Sequence, residues 1–279
     1  MSTTYRFALN AAHALQIDRL DAQLLMLHAL GKTDQDRAWL IAHDDESFEE
    51  PLLSDFNELI QRRTQGEPLA YIVGYKEFFG LTLSVDKHVL IPRPDTETLV
   101  HWALDTLLEF PRPDVLDLGT GSGAVAIAIA IATAHKLKST VTITATDNSE
   151  NALKVASQNA HHLGAIVQFL RSHWFEKISG QYHLIVSNPP YIASSDAHLA
   201  ALVREPLGAL TAGADGLNDI RQIVQNAPLY LRAGGWLMLE HGYDQASAVR
   251  ELLTQRGFAQ VRSRLDFGGN IRCSGGQWG

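Results

Sequence analysis

From Asp114 to the C-terminus, short apolar runs alternate with longer helical stretches, and this alternation most limits how the chain can fold. The runs are Val115–Leu118, Thr142–Thr146, Val167–Leu170, His183–Ser187 and Trp236–Leu239. Each is too short for a helix and nearly continuous in its apolar character, as a strand covered on both faces is. Strands alternating with helices build βαβ units, so a mainly parallel sheet with helices on both faces is expected. Two last runs, Gln260–Arg264 and Ile271–Cys273, lie close together. A short link excludes a crossover helix, so they should form an antiparallel edge pair. The alanine-rich run Ala124–Ala134 is too short to cross a bilayer and reads as a buried helix.

The chain before residue 94 is patterned differently. Ile17, Leu20, Leu24 and Leu27 recur at helical spacing, and Gly31 is a suitable stop. Leu52, Phe56, Leu59 and Ile60 form a second stripe behind Pro51, which suits a first helical turn. The acidic stretch Asp44–Glu50 between them reads as an exposed loop. Phe79, Leu81, Leu83 and Val85 alternate with Gly80, Thr82 and Ser84, the pattern of a half-buried strand. Val89–Ile91 is its expected partner across Asp86-Lys87-His88. Asp95 and Thr96 are candidate caps for the next helix. The expected division is a helical domain over 1–75, a β-hairpin linker over 76–93 and an α/β domain over 94–279.

Charge and composition narrow the function. The net charge is -8 in 279 residues. Residues 1–90 hold 8 Lys and Arg against 14 Asp and Glu, and residues 91–279 hold 15 against 17. No long-range attraction for phosphate is built in, which weighs against duplex DNA binding. One cysteine, Cys273, excludes an internal disulfide or a cysteine-rich zinc site. His13 and the pair His161-His162 have no partner at zinc-ligand spacing, so no metal site is expected. The opening residues lack a charged segment followed by a long apolar run. A cytoplasmic monomer that does not touch membranes is the expectation.

The segment Asp114–Gly123 runs from a strand into a glycine-rich turn and then a helix. Its spacing, Gly119-x-Gly121-x-Gly123, is not the dinucleotide fingerprint, and no Gly-Lys-Ser/Thr follows. These glycines by themselves fit either a plain strand-to-helix turn or a close approach of ligand to backbone. Asp147 ends the next strand, where a carboxylate accepts from ribose hydroxyls. Together they favour a nucleoside such as the adenosyl part of S-adenosylmethionine.

Asn188-Pro189-Pro190-Tyr191 follows the fourth strand. Two prolines fix φ and remove donors, so the turn presents carbonyls in a rigid array. The side chain of Asn188 adds another acceptor. Two acceptors aimed at one point hold both hydrogens of a planar amino group, orienting its nitrogen and stabilising charge gained during methyl transfer. Tyr191 can stack on the group being held. An isolated Pro-Pro-Tyr would be a structural turn; downstream of the glycine loop it reads as an amino-group methyltransferase site, with Asn188, Pro189 and Tyr191 catalytic.

At these residues the sequence resembles the bacterial glutamine N5-methyltransferases of peptide chain release factors. The Asn-Pro-Pro-Tyr motif is also found in adenine-N6 and cytosine-N4 DNA methyltransferases. The narrower resemblance adds Gly66-Glu-Pro-Leu-Ala70, Ile91-Pro-Arg-Pro-Asp-Thr-Glu97 and Glu240-His-Gly242, and covers essentially the whole chain. It implies a Rossmann-like class I methyltransferase fold with a small helical N-terminal domain. It implies S-adenosyl-L-methionine as cofactor, S-adenosyl-L-homocysteine as product, and release factors as protein substrates. The acceptor is the glutamine of a Gly-Gly-Gln loop. By that resemblance Gly119, Thr120, Gly121, Ser122, Gly123, Asp147, Trp174 and Asn188 hold the cofactor, and Asn188, Pro189, Pro190 and Tyr191 hold the glutamine amide. One departure stands out: the family often has an acidic residue where this chain has His173. Arg93 and Glu97 either line the substrate entrance or pair with each other. The tail Gly275-Gly276-Gln277 repeats the acceptor tripeptide and reads as the end of a strand. A DNA amino-methyltransferase is the runner-up, lacking a DNA-reading region here. A nucleotide-sensing module is disfavoured by the intact Asn188–Tyr191 motif. The acidic helical domain is expected to select the protein substrate, since one glutamine amide carries too little information to do so.

Overall fold

The computed structural model describes residues 3–134 and 141–279. The chain divides into two compact units, residues 1–75 and 76–279.

The first unit contains β1 (Thr3–Thr4), α1 (Tyr5–Ala14), α2 (Arg19–Ala29), α3 (Arg37–Ala42), β2 (Ser47–Phe48), α4 (Glu50–Thr64) and α5 (Leu69–Val73). Asp18 caps α2 by accepting from the N–H of Leu20 at 2.7 Å, and Pro51 sits in the first turn of α4. The apolar stripe of α2 is rotated from the expected one. Leu25, Met26 and Leu27 are buried with Phe56 and Ile60, whereas Leu20 is exposed. The acidic stretch is also not a loose loop. Ser47 and Phe48 pair with Thr4 and Thr3. Arg6 donates to Asp44 through Nε at 3.0 Å and Nη2 at 2.7 Å, and to Asp45 at 3.0 Å.

A hairpin, β3 (Tyr75–Phe78) and β4 (Leu81–Ser84), starts at the last residue of the first unit and opens the second. The expected partner, Val89–Ile91, is not a strand. The chain turns directly after β3, at Phe79 (φ 54°) and Gly80 (φ 74°), and both left-handed residues match the twist of a tight hairpin. Val89 and Ile91 are instead buried singly. Next come α6 (Glu97–Leu107), β5 (Asp114–Leu118), α7 (Ala124–Ala132), β6 (Thr142–Asp147), α8 (Glu150–Leu163), β7 (Gln168–Arg171) and β8 (Tyr182–Ser187). The chain ends with α9 (Asn218–Asn226), β9 (Leu231–Glu240), α10 (Ala246–Arg256), β10 (Ala259–Leu265) and β11 (Ile271–Gln277). Neither Asp95 nor Thr96 caps α6 with its side chain; a 3-10 turn over Pro94–Thr96 leads into the helix.

The described residues form a seven-stranded sheet in the order β10-β11-β9-β8-β5-β6-β7. Strands β5 to β9 are parallel, and β11 runs antiparallel to β9 and β10. Period-2 alternation divides the core. Val115, Leu184, Trp236 and Met238 pack on the side of α6 and α7, whereas Leu116, Ile185, Leu237 and Leu239 pack on the side of α9 and α10. Helix α7 is almost wholly apolar because it is buried nearly all round. Strand β9 begins five residues before the apolar run because Leu231 already joins the core, while Arg232–Gly235 interrupt the pattern. Gly275 and Gly276 lie inside β11, where a Cβ would come within 2.5 Å of the Leu237 carbonyl and 2.8 Å of Phe258 respectively. The tail tripeptide is therefore accounted for by close sheet packing. No helix among the described residues is long and apolar enough to cross a membrane.

Candidate active site

The carboxyl ends of β5, β6, β7 and β8 converge on a cavity of about 440 Å³. A crevice at this end of a parallel sheet is where ligands bind in open α/β folds. Gly119, Gly121, Asp147, Trp174, Asn188 and Pro190 line it. Thr120, Ser122 and Gly123 are buried and outside its wall, as the loop's scaffold. The Thr120 hydroxyl donates to Asp117 Oδ2 at 2.6 Å, and the Ser122 carbonyl accepts from Asn159 Nδ2 at 2.9 Å. Gly123 (φ 84°) opens α7, where a Cβ would come within 2.8 Å of Ile127. Asp117 faces the α7 side of the sheet, and burial pushes its carboxyl up to about 7.

Asp147 holds the loop from the next strand. Its Oδ2 accepts from the Gly121 N–H at 2.9 Å and its Oδ1 from Ser149 N–H at 2.8 Å. Burial raises its pKa against the pull of these backbone donors. Each carboxylate oxygen retains a second lone pair for a ligand hydroxyl.

Trp174 adopts φ 45°, a left-handed conformation unusual for an aromatic residue. Its indole N–H donates to Asp219 Oδ1 at 3.1 Å, and its ring passes so near Gly119 that a Cβ there would sit 3.4 Å away. Asp219 itself lines the cavity at the start of α9. No local pattern marks Asp219, because its partner lies 45 positions away. His173 also lines the cavity, with Nδ1 3.7 Å from Glu176.

The Asn188–Tyr191 turn is anchored at both ends. Asn188 Nδ2 donates to the Thr96 hydroxyl at 3.2 Å, which fixes the polarity of the amide and leaves Oδ1 with no partner among the described residues. The Tyr191 hydroxyl donates to Glu240 Oε1 at 3.1 Å. Pro189 and Tyr191 do not line the cavity; the Tyr191 ring packs on the α9 and α10 side of the core. Burial and the Glu240 carboxylate hold the Tyr191 phenol in its neutral form.

Arg93 and Glu97 do not pair with each other. Arg93 forms an ion pair with Glu205, whose other oxygen accepts from the Ile91 N–H at 3.1 Å. Glu97 Oε1 accepts from the Phe79 N–H at 3.0 Å. Glu205 thus ties the residues that follow His88–Leu90 to the loop that carries Pro206, Gly208 and Ala209; His88–Leu90 and that loop line the cavity.

Two family descriptions match the chain: "PrmC N-terminal domain" over residues 4–74 and "Methyltransferase small domain" over residues 98–214. The release factor glutamine methyltransferase of Pseudomonas aeruginosa is 48% identical over 264 residues, covering 93% of this chain and 92% of that protein. That of Burkholderia pseudomallei is 44% identical and covers 99% of both chains. The chain belongs to the release factor glutamine methyltransferase family. As in other class I methyltransferase folds, the sheet of this family member has solved counterparts at low identity. A methyltransferase from Pyrococcus furiosus is 20% identical with a TM-score of 0.54, covering 73% of this chain and 92% of that one. A 16S ribosomal RNA methyltransferase from Thermus thermophilus, solved with AdoMet and guanosine, is 16% identical with a TM-score of 0.51, covering 74% and 50%.

Proposed function

We propose that the protein transfers a methyl group from S-adenosyl-L-methionine to the side-chain amide nitrogen (N5) of the glutamine in the Gly-Gly-Gln motif of peptide chain release factors, supporting translation termination. The observation that carries this reading is the fixed amide of Asn188, with Nδ2 bound to Thr96 and Oδ1 unpartnered beside the cavity.

The cavity fits the cofactor. Its volume is in the range of small-molecule sites. Gly121 leaves open space where a side chain would stand, Asp147 offers acceptors suited to ribose hydroxyls, and Trp174 offers an aromatic face suited to adenine. The bound cofactor supplies an electrophilic methyl group on a sulfonium.

Asn188 Oδ1 and a neighbouring main-chain carbonyl of the proline turn accept the two N–H groups of the glutamine amide. An amide nitrogen is a weak nucleophile because its lone pair is delocalised into the carbonyl. Holding both hydrogens turns that nitrogen toward the methyl carbon and stabilises positive charge as the new N–C bond forms and the S–C bond breaks. The methylated nitrogen then releases one proton to solvent, so no strong base is needed beforehand. Placement of the reacting atoms at ~3–3.5 Å provides much of the acceleration. The helical unit, residues 1–75, serves to select the protein substrate.

The test is incubation of the protein with isotopically labelled S-adenosylmethionine and a purified release factor, followed by peptide mapping. Label on the Gly-Gly-Gln glutamine supports the reading. Label at another residue, or transfer to DNA amino groups and not to the factor, overturns it.

A further inference from the structure

Between Ile192 and Leu210 the chain leaves the turn that follows β8 and returns to it. The two stems are joined. The Ile192 N–H donates to the Leu210 carbonyl at 2.9 Å, the Ala212 N–H to the Ile192 carbonyl at 3.0 Å, and the Ser194 N–H to the Gly213 carbonyl at 2.8 Å. The excursion between them carries two 3-10 turns, Ala197–Leu202 and Leu207–Ala209. None of its apolar side chains belongs to the core on either face of the sheet, among the described residues, and Val203 and Leu207 are 76% and 64% exposed. From Ala193 to Ala209 the one buried residue among the described residues is Glu205. Surface segments usually anchor themselves with apolar groups; here the buried anchor is a carboxylate.

That carboxylate bonds to the opposite wall of the cavity. Glu205 Oε2 accepts from the Ile91 N–H at 3.1 Å, and Oε1 forms the ion pair with Arg93. Pro206, the next residue, lines the cavity with Gly208 and Ala209. Leu90, directly before Ile91, lines it with His88 and Val89. The clasp therefore stands one residue from each wall, and the fixed φ of Pro206 passes the placement of Glu205 to its own side. An apolar anchor can let go only by exposing its area to water. Here the Arg93 side chain is already 38% exposed, and water can replace the partners of a half-exposed ion pair at small net cost. Few buried apolar contacts are the mark of segments that open locally while the rest of a domain stays folded.

We propose that residues 193–209 are a lid on the cavity and that Glu205 is its latch, released and remade as methyl donor enters and product leaves. This rests on the methyltransferase reading above, which requires both ligands to pass at every turnover and water to be excluded during transfer. It gives Arg93 and Glu205 a task that the transfer step itself does not use.

The experiment compares Glu205→Ala and Arg93→Met with the wild-type protein. Association and dissociation of S-adenosylhomocysteine are followed by stopped flow, alongside thermal melts and amide hydrogen exchange of peptides from the lid and from β5. Glu205→Ala should speed lid exchange and ligand dissociation by roughly tenfold, the scale of a lost hydrogen bond to a charged group. Association should accelerate as well, because the unliganded lid is open more of the time, so affinity changes less than either rate. Exchange in β5 should stay at the wild-type rate. Arg93→Met removes the exposed partner and should shift both rates in the same direction, which keeps the proposal testable should Glu205→Ala not fold. Where both fold, the double variant should exchange ligand no faster than Glu205→Ala alone, because both open one clasp. Wild-type rates in either folded variant would overturn the proposal. So would faster dissociation without faster association, the sign of a lost contact alone, or an exchange rise that spreads equally to β5. Wild-type protein that binds no S-adenosylhomocysteine would instead overturn the functional reading, while lid exchange in the unliganded variants still reports on the latch.

Discussion

The indole N–H of Trp174 donates to Oδ1 of Asp219 at 3.1 Å, linking the segment after β7 to the first turn of α9 across the cavity wall. This bond holds an aromatic ring in a left-handed backbone conformation and places an acidic group beside His173 in the cavity wall. Asp219→Ala should weaken S-adenosylhomocysteine binding by about 1–2 kcal/mol, the usual worth of a hydrogen bond to a charged group with its partner left exposed. The tryptophan fluorescence of the unliganded protein should change as well. Calorimetry giving wild-type affinity would take Asp219 out of the cofactor site.

Asp147 has two tasks that one substitution separates. It accepts from Gly121 and Ser149 N–H groups, and so shapes the glycine loop and the entry to α8. It also lines the cavity. Asp147→Ala should lower the melting temperature and weaken cofactor binding by about 1.5–3 kcal/mol. A lowered melting temperature with unchanged affinity would leave Asp147 as a structural residue alone.

Stability should depend on pH through Glu240. Burial lifts its carboxyl from an ordinary 4.5 to about 7, opposed by Thr96, Tyr191 and Arg272 and reinforced by Asp95. The folded state therefore keeps a proton that the unfolded chain has lost. Stability from this proton is fully present below about pH 4.5 and is lost as pH rises through 7. Asp117, also lifted to about 7, acts in the same direction. Glu240→Gln cannot ionise, so its stability relative to wild type should rise between pH 5 and 8, by on the order of 3 kcal/mol at most. Parallel urea titrations of both proteins showing a constant difference across that range would contradict the assignment.

The acidic face of the helical unit gives a fourth expectation. Asp44 and Asp45 are held by Arg6, whereas no ion pair holds Glu49 or Glu50 among the described residues. Replacing Glu49 and Glu50 by Gln should lower kcat/KM several-fold on a whole release factor at low salt, by slowing association. The same change should leave a short Gly-Gly-Gln peptide unaffected. Asp44→Asn should act on the melting temperature first. Equal losses on both substrates, or none on either, would remove this face as the recognition surface.

The sheet and the place of the site within it can be read from local sequence. Strand and helix periods are local, so Val115–Leu118 and Thr142–Thr146 could be recognised from their own residues, and both are strands. The glycine loop and Asn188–Tyr191 could be located for the same reason: tight turns require particular residues at adjacent positions. Tertiary structure alone decided which side chains meet. Arg93 and Glu97 are four residues apart and look like partners, yet each bonds elsewhere, to Glu205 and to the Phe79 N–H. A hairpin was expected here, but not the one that forms: Phe79 and Gly80, read as part of a strand, make the turn, and Val89–Ile91, read as the partner strand, is buried without being one. Glu240, Thr96 and Asp219 were out of reach as supports of the site. Their partners lie 45 to 92 positions away, and hydrogen bonds over that separation leave no period in a sequence. They exist because a parallel sheet brings the ends of distant strands to one edge, where side chains meet that the chain keeps far apart.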